Sequence, residues 1–152
     1  MEFSGSVEIA APRARVWDFV NDPQRVVPCG PGVERVEVRD EDHFTASARV
    51  GIGSISLRFS AEGEFVERAP LESATVRGRA NAPGSVVDLT ARMTLRDGAA
   101  AGTSVMDWHA DVRFSGKIAS LGARLIQGTA RRLIGQAFTC IKAKLEPAAD
   151  QR

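Results

Sequence analysis

Apolar and polar side chains alternate one by one from about Val36 to Phe114, and this two-residue period constrains the fold more than any other feature of the chain. Such alternation is typical of antiparallel strands that have one face in a core and the other in solvent. The pattern therefore predicts six strands, and the alternation from Phe3 to Ala11 predicts one more ahead of them. Turn-forming residues divide the long stretch at 40–42, 51–53, 68–72, 81–84 and 97–102.

Helical signals lie on both sides of these strands. Pro12 suits the first turn of a helix, and the apolar residues from Val16 to Val20 give that helix a buried face. A second short helix is predicted at Gln24–Val27. After the last strand, Lys117–Leu145 contains no proline and spaces its apolar residues by three and four, which predicts one helix roughly 43 Å long.

A sheet with one apolar face must be covered, and only the C-terminal helix is long enough to cover it. We expect an α+β fold in which a curved, seven-stranded antiparallel sheet wraps around that helix, with two short helices after the first strand. The prediction is a single domain over residues 1–146, followed by a short polar tail over 147–152.

Composition excludes several classes of function. Twenty basic residues against nineteen acidic ones argue against a nucleic-acid binder, whose affinity depends on clustered positive charge. Cys29 and Cys140 are far apart and belong to no Cys or Cys/His cluster, so no metal site is predicted. No signal peptide and no apolar membrane span is expected from the sequence. We therefore expect a cytoplasmic protein with free thiols.

The side chains on the predicted inner face of the sheet are unusually small. One interpretation is that they leave an apolar cavity between sheet and helix, sized for a ligand of ~300–1,000 Å³. The other is that they let the backbones of helix and sheet approach closely and leave no void. The residues concerned are Ala46, Ala48, Ala61, Gly63, Ala74, Gly78, Ala80, Ala91 and Ala110 on the strands, with Gly122, Gly128 and Gly135 on the helix.

No catalytic constellation stands out. His43 and His109 both fall on the outward phase of their strands, where a surface role is expected. Gly51-Ile52-Gly53 is a turn between two strands and not a phosphate-binding loop before a helix. The C-terminal helix carries six basic residues and no acidic one, which fits either an attraction to anionic membranes or a solvated outer face. We predict no catalytic and no metal-binding residue.

A series of short motifs resembles the G-subunit family of carbon monoxide dehydrogenase, in that family's order and from Phe3 to about Leu145. The motifs are Phe3-Ser4-Gly5, Ala11-Pro12, Val16-Trp17, Asp22-Pro23, Cys29-Gly30-Pro31-Gly32, Gly102-Thr103, Trp108-His109-Ala110-Asp111-Val112, Ser115-Gly116-Lys117-Ile118-Ala119 and Leu121-Gly122. The resemblance implies the START-like (SRPBCC, polyketide cyclase or Bet v 1-like) helix-grip fold, which agrees with the architecture predicted above.

The resemblance also implies a carrier of a hydrophobic ligand, an isoprenoid quinone or a lipid, that is accessory to a molybdenum hydroxylase of the carbon monoxide dehydrogenase type. Family members are linked to membrane recruitment of that enzyme, some through a C-terminal extension that we do not expect in a chain ending at Arg152. No cofactor is required, although a quinone or lipid is expected as the bound molecule. We also expect peripheral contact with the inner face of the cell membrane through the basic helix.

Candidate binding residues follow from the predicted inner face and loops. The predicted cavity mouth consists of Cys29, Gly30, Pro31, Gly32, Gly51 and Gly53. The predicted ligand-binding residues are Trp17, Phe44, Ala48, Phe59, Gly63, Ala91, Met93, Trp108, Phe114, Leu125 and Leu133.

Two further hypotheses stay open at this point. A small cyclase or hydrolase acting on an apolar, polyketide-like substrate would need an acid or base inside the cavity, and the predicted inward positions contain none. An adaptor that binds a molybdoenzyme through its surface would need no functional cavity. Fold alone does not decide between them.

Overall fold

The computed structural model describes residues 1–147 and confirms the expected fold: one antiparallel sheet wrapped around a long C-terminal helix. The strands are β1 Glu2–Ile9, β2 Val33–Val38, β3 His43–Ile52, β4 Ile55–Ala69, β5 Ser73–Ala82, β6 Ser85–Asp97 and β7 Ser104–Gly116. They lie in the order β1-β7-β6-β5-β4-β3-β2, so β1 and β2 form the two edges. The helices are α1 Arg13–Val20, α2 Pro23–Val26 and α3 Ala123–Leu145, with 3₁₀ turns at Val27–Cys29 and Lys117–Leu121. Beyond Pro147, the predicted polar tail lies outside the described residues.

The short helices form where the sequence places them, for local reasons. The Asp22 side chain accepts a hydrogen bond from the Gln24 backbone N–H at 3.0 Å, and Pro23 occupies the first helical position of α2. Val16 and Phe19 are the buried residues of α1. The two helices therefore close one end of the sheet with apolar side chains.

The C-terminal helix differs from its prediction at its start. The sequence predicts one helix from Lys117, whereas the structure has a 3₁₀ turn over Lys117–Leu121 and begins α3 at Ala123. Gly122 separates them with a φ of 98°, a left-handed conformation that glycine adopts without steric cost. With 23 residues, α3 is about 35 Å long.

Strand β4 contains a bulge that the sequence pattern does not predict. The register against β5 shifts between Phe65 and Glu67, so that Val66 points outward and Arg68 takes the inward phase. The region expected to be a turn from Arg68 thus belongs to the strand as far as Ala69. The Arg68 guanidinium lies 4.1 Å from the centre of the Phe65 ring.

Arg68 joins three segments at this end of the molecule. It donates hydrogen bonds to the Asn21 side chain at 3.1 Å and to the Glu41 carbonyl at 3.0 Å, and it pairs with the Asp42 carboxylate at 2.7 Å. The positive charge of Arg68 is thus paired with a carboxylate and hydrogen-bonded to oxygen atoms of Asn21 and Glu41. Arg68 therefore has a structural role that sequence reasoning missed.

The two cysteines form a disulfide, so the expectation of free thiols is wrong. Cys29 follows α2 and Cys140 lies in the second half of α3, and their Cα atoms are 5.4 Å apart. The two cysteines are 111 residues apart, so no local sequence pattern predicts their pairing. The 3₁₀ turn meets the helix only when the sheet wraps around it. The disulfide also removes the thiol argument for a cytoplasmic location.

Candidate functional site

The buried core is divided into two clusters at opposite ends of the sheet. One contains Ile9, Val16, Phe19, Cys29, Leu95, Met106, Ile141 and Leu145, with Ala11. The other contains Ile52, Phe59, Ala82 and Ile118, next to the β3–β4 and β5–β6 turns. Several inward-facing residues between them belong to neither cluster and stay half-buried, namely Ala46, Ala48, Val76, Gly78, Leu89, Ala91 and Val112. A close-packed domain of this size would bury such residues, so the middle of the inner face is incompletely filled.

Helix α3 crosses the inner side of the sheet. Its backbone comes close to β1 and β3, which are on the two sides of the sheet. On one side, the Arg131 guanidinium lies over the Phe3 ring at 5.7 Å, and the Phe138 and Trp108 rings are 5.5 Å apart. On the other side, the disulfide holds Cys140. The sheet therefore grips the helix from both sides.

Two of the small sheet residues are covered by aromatic rings. A Cβ at Gly63 would overlap the Phe44 ring, and one at Gly5 would lie 3.2 Å from the Trp108 ring. At both positions the glycine has no side chain, which leaves space for the aromatic ring of the residue paired with it on the neighbouring strand. Gly63, which we expected to supply space for a ligand, is occupied in this way.

The glycines of the helix have a different environment. A Cβ added at Gly122, Gly128 or Gly135 would meet no atom within 4 Å. Close helix–sheet contact at these glycines, the alternative that the sequence left open, is therefore not what the structure has. A Cβ at Gly78, in the middle of the sheet, would likewise meet no atom of α3 within that distance.

A cleft of about 810 Å³ opens between the β3–β4 turn and the first half of α3. Its lining consists of Gly51, Gly53, Leu121, Gly122, Arg124, Leu125, Gly128, Thr129 and Arg132. Thr129 is buried and shares the inward face of α3 with Ile126, so the cleft reaches the inner side of the helix. Its volume lies within the ~300–1,000 Å³ of ordinary ligand pockets.

One hydrogen bond crosses this cleft, and a leucine side chain lies near one of its glycines. The Arg132 guanidinium donates a hydrogen bond to the Gly51 carbonyl oxygen at 3.2 Å. A Cβ at Gly53, which has a φ of 64°, would lie 3.4 Å from the Leu125 side chain. Leu125 is 39% exposed and presents apolar surface at the border of the cleft.

Known proteins share this architecture. The family model for the G subunit of carbon monoxide dehydrogenase (CoxG) matches residues 5–146. The chain belongs to this family. No curated protein matches the sequence significantly.

Solved structures show the fold of this CoxG-family chain at low identity. A conserved protein from Geobacillus kaustophilus has 21% identity and a TM-score of 0.87, with 95% of each chain covered. The Zhui aromatase/cyclase from Streptomyces sp. R1128 has 14% identity and a TM-score of 0.69, covering 95% of this chain and 93% of its own. A START superfamily protein from Mycobacterium smegmatis has 11% identity and a TM-score of 0.68, covering 95% and 96%. The START-like fold implied by the resemblance is thus confirmed.

The sequence-predicted site residues of the CoxG-family chain fall into three environments. Gly51, Gly53 and Leu125 line the cleft. Ala48, Ala91, Phe44 and Leu133 are half-buried and belong to neither core cluster. The others pack with the clusters or with a neighbouring ring: Trp17 and Met93 at the α1 end, Phe59 and Phe114 at the turn end, Trp108 against Phe138, and Gly63 beneath Phe44.

The predicted mouth residues before β2 are closer to the disulfide than to the cleft. Cys29 is 5% exposed and lies in the α1-end cluster, not at an opening. Gly30 and Pro31 are half-buried, and Gly32 has a φ of 81°. The Arg49 backbone N–H donates to the Gly32 carbonyl at 2.9 Å, which fixes this loop on β3.

Sequence reasoning missed most of the helical lining of the cleft. Leu121, Arg124, Thr129 and Arg132 line the cleft but are not among the binding residues expected from the sequence. One available signal was the glycines of α3. Each glycine lowers the stability of a helix, so its presence indicates that the position serves another purpose.

The outward face of the sheet carries the two histidines, as predicted. His43 Nδ1 lies 2.8 Å from the Asp40 carboxylate, and Nε2 lies 2.9 Å from that of Glu64. The hydrogen bond to Asp40, followed by the one to Glu64, raises the pKa of His43, and the same contact with His43 lowers the pKa of Asp40. His109 contacts Glu2 at 2.8 Å.

Charge pairs also lie on the outward face of β6 and β7. Arg96 pairs with Asp107 at 2.9 Å, and this contact, with a hydrogen bond from Ser6, lowers the pKa of Asp107. A second depression of about 400 Å³ lies on this face across β2–β5, where Arg35 pairs with Glu37 at 3.7 Å. Charged side chains border it, and it lies on the solvent side of the sheet, away from the unfilled inner face. Within residues 1–147, no helix is long and apolar enough to cross a membrane.

Proposed function

We propose that this CoxG-family chain is a non-catalytic binding protein for a hydrophobic molecule, an isoprenoid quinone or a lipid. The apolar part of the ligand lies between the sheet and α3, and the cleft beside Gly51 and Gly53 is its way in. The family and the fold support a ligand-binding domain. The single observation that carries the proposal is the unfilled inner face between the two core clusters.

Burial of apolar ligand surface supplies the affinity. Removing apolar area from water contributes roughly 25 cal/mol per Å² before the costs of association. The half-buried alanines and valines of the inner face offer such area without a polar group that a ligand would have to desolvate. The region is therefore suited to a molecule with a long apolar part and few polar atoms.

The test compares two variants of one strand. Ala91 faces inward and is half-buried, whereas the adjacent Thr90 is exposed on the outward face. Ala91→Phe fills the inner space and is expected to reduce uptake of the neutral fluorescent probe Nile red by at least about tenfold, since the probe loses its apolar contacts. Thr90→Phe adds the same ring outside and serves as the matched control.

Circular dichroism controls for folding, and both variants must retain the wild-type spectrum before their probe binding is compared. If folded Ala91→Phe takes up the probe as the wild type does, the inner face is not the binding region. Native mass spectrometry and solvent extraction of protein purified from its own host then identify the molecule that travels with it. An empty protein in every preparation would also count against the proposal.

The accessory role to a molybdenum hydroxylase of the carbon monoxide dehydrogenase type forms the second part of the proposal, and family membership supports it. The chain would deliver an electron acceptor or recruit the enzyme. Co-purification of the two proteins tests it, with Ala91→Phe as the informative variant. Persistent co-purification after the cavity is filled would favour the adaptor hypothesis, in which surface contacts alone matter.

Peripheral membrane contact is a further part of the proposal. The segment from Lys117 to Leu145 carries six basic residues and no acidic one. Ile55 and Leu125 are 42% and 39% exposed on the two elements that border the cleft. Basic residues near an anionic surface contribute about 1 kcal/mol each. Sedimentation with phosphatidylglycerol vesicles, compared with phosphatidylcholine vesicles, measures the contact, and equal sedimentation with both would contradict it.

Cyclase or hydrolase activity is the second candidate function, favoured by the likeness of fold to a protein named aromatase/cyclase. Catalysis needs a positioned acid or base at the ligand. Arg68 is the ionisable residue that the β4 bulge turns inward, and its donors are engaged by Asn21, Glu41 and Asp42. Recovery of the extracted ligand after incubation with fresh protein, unchanged in mass and retention time, would count against catalysis.

A further inference from the structure

The cleft combines apolar walls with two guanidinium groups. Leu121 and Leu125 supply apolar surface, while Arg124 and Arg132 lie along the same border of α3. Gly51, Gly53 and Gly128 add no side chains of their own to this lining. A cleft of this composition suits an amphiphile better than a purely apolar molecule, because one end of the ligand meets donors and the other meets hydrocarbon.

Of the sixteen arginines within residues 1–147, eight have a carboxylate partner and eight, including these two, have none. Eight arginines of the strands, α1 and α2 lie within 4 Å of a carboxylate: Arg13, Arg25, Arg35, Arg58, Arg68, Arg79, Arg92 and Arg96. Within residues 1–147, neither Arg124 nor Arg132 has such a partner. The Arg132 contact with Gly51 uses one of five guanidinium N–H donors. Most of the hydrogen-bonding capacity at the cleft is therefore available.

We propose that Arg124 and Arg132 bind the polar head of the ligand through its hydrogen-bond-accepting oxygens, while the chain of the ligand runs past Leu121 and Leu125 to the inner face. The inference rests on the proposed function and names the chemistry of its ligand: an amphiphile with acceptor oxygens at one end. The carboxylate of an acidic lipid and the carbonyl of a quinone both satisfy it. A carboxylate accepts bidentate bonds from a guanidinium and is bound more tightly than a ketone oxygen.

Displacement of Nile red by three compounds separates these sources. Hexadecanoate presents a carboxylate, decylubiquinone presents ketone oxygens, and hexadecanol presents only a hydroxyl on the same chain as hexadecanoate. The expected order of affinity is hexadecanoate, decylubiquinone, hexadecanol. Hexadecanoate is expected to bind about fivefold to tenfold more tightly than the alcohol, since charge-assisted bonds at an exposed cleft are partly screened.

The decisive variant is Arg124→Gln/Arg132→Gln, which keeps polar side chains at both positions and removes two charges. It should lose the preference for hexadecanoate, to within about twofold of hexadecanol, because the loss of affinity falls mainly on the charged carboxylate. The control is Arg77→Gln/Arg113→Gln, which makes the same change of charge on the outward faces of β5 and β7, where both arginines are exposed. The control should retain the wild-type preference.

The outcomes distinguish this inference from the function on which it rests. If all three compounds bind but the cleft variant discriminates them as the wild type does, the head lies elsewhere and the inference is wrong, while the carrier function stands. If the control variant loses the preference equally, general attraction to the basic protein explains it, and the inference is again wrong. If neither Nile red nor any of the compounds binds to the wild type, both proposals fail.

Discussion

Loss of the Cys29–Cys140 disulfide tests how the fold holds its helix. The bond closes a loop of 111 residues and ties the 3₁₀ turn after α2 to the second half of α3. In the chain-entropy description, cross-linking a loop of this length lowers the conformational entropy of the unfolded chain and so stabilises the native state by about 5 kcal/mol. Measured stabilisation by a disulfide is usually nearer ~2–4 kcal/mol. Domains are stable by ~5–15 kcal/mol in total, so the reduced protein is expected to be marginal.

Urea unfolding followed by circular dichroism measures the effect. We expect reduction by dithiothreitol to lower the unfolding midpoint by about 1–3 M, given an m-value of about 1–3 kcal/mol per M. Reduction keeps both side chains in place, so it separates the cross-link from packing. Cys29→Ala/Cys140→Ala removes sulfur as well and should be at least as unstable, because Cys29 is buried in the α1-end cluster.

Two results would contradict this account of the disulfide. Thiol titration of unfolded protein that was purified without a reducing agent should find no free thiol. Two free thiols would mean that the bond does not form. If the bond is present and reduction changes the free energy of unfolding by less than about 1 kcal/mol, loop closure does not stabilise the native fold as described. A shift confined to tryptophan fluorescence, with the free energy of unfolding unchanged, would instead indicate only local loosening.

Single residues give further predictions. Gly135→Ala should raise the free energy of unfolding by about 0.5–1 kcal/mol in urea melts, because the added methyl meets no atom and helix propensity improves; a loss would mean that this glycine makes a contact. Gly63→Ala should lower it by about 1–3 kcal/mol, since the Phe44 ring must move, and Gly63→Ala/Phe44→Leu should recover part of the loss. NMR titration should find the pKa of His43 above 6.5, and Asp40→Asn should lower it. Because that pKa is raised by folding, the stabilisation from His43 is fully present below about pH 6.5 and is lost as the pH rises through the raised pKa. A His43→Gln variant that is less stable than wild type at pH 8 but equal to it at pH 5 would contradict this predicted pH dependence.

The strand faces can be read from the sequence because the signal is local. Side chains of a strand alternate between its faces, so burial of one face imposes the two-residue period directly on the chain. This is why the pattern places His43 and His109 outward and the alanines of β3, β5 and β6 inward, as the structure has them. The bulge in β4 escapes the pattern because one extra residue reverses the phase without any change in composition.

The candidate site was predictable only in part. The inner face and the β3–β4 turn were expected, whereas Arg124, Thr129 and Arg132 join the site only through the packing of α3 against that turn. The break at Gly122 separates α3 from the 3₁₀ turn before it, where the sequence pattern predicts one continuous helix. Which small residues are covered also depends on pairing, since Phe44 reaches Gly63 only through the β3–β4 register.

Local sequence is enough to specify seven strands, their inward and outward faces, and a helix long enough to cover them, because these depend on periodicities of two and 3.6 residues within short segments. Only the folded molecule shows which distant residues meet. The Cys29–Cys140 bond, the division of the core into two clusters and the arginine-bordered cleft all join segments far apart in the chain. Contacts of that kind are set by how the curved sheet closes on the helix, which depends on all of its strands at once.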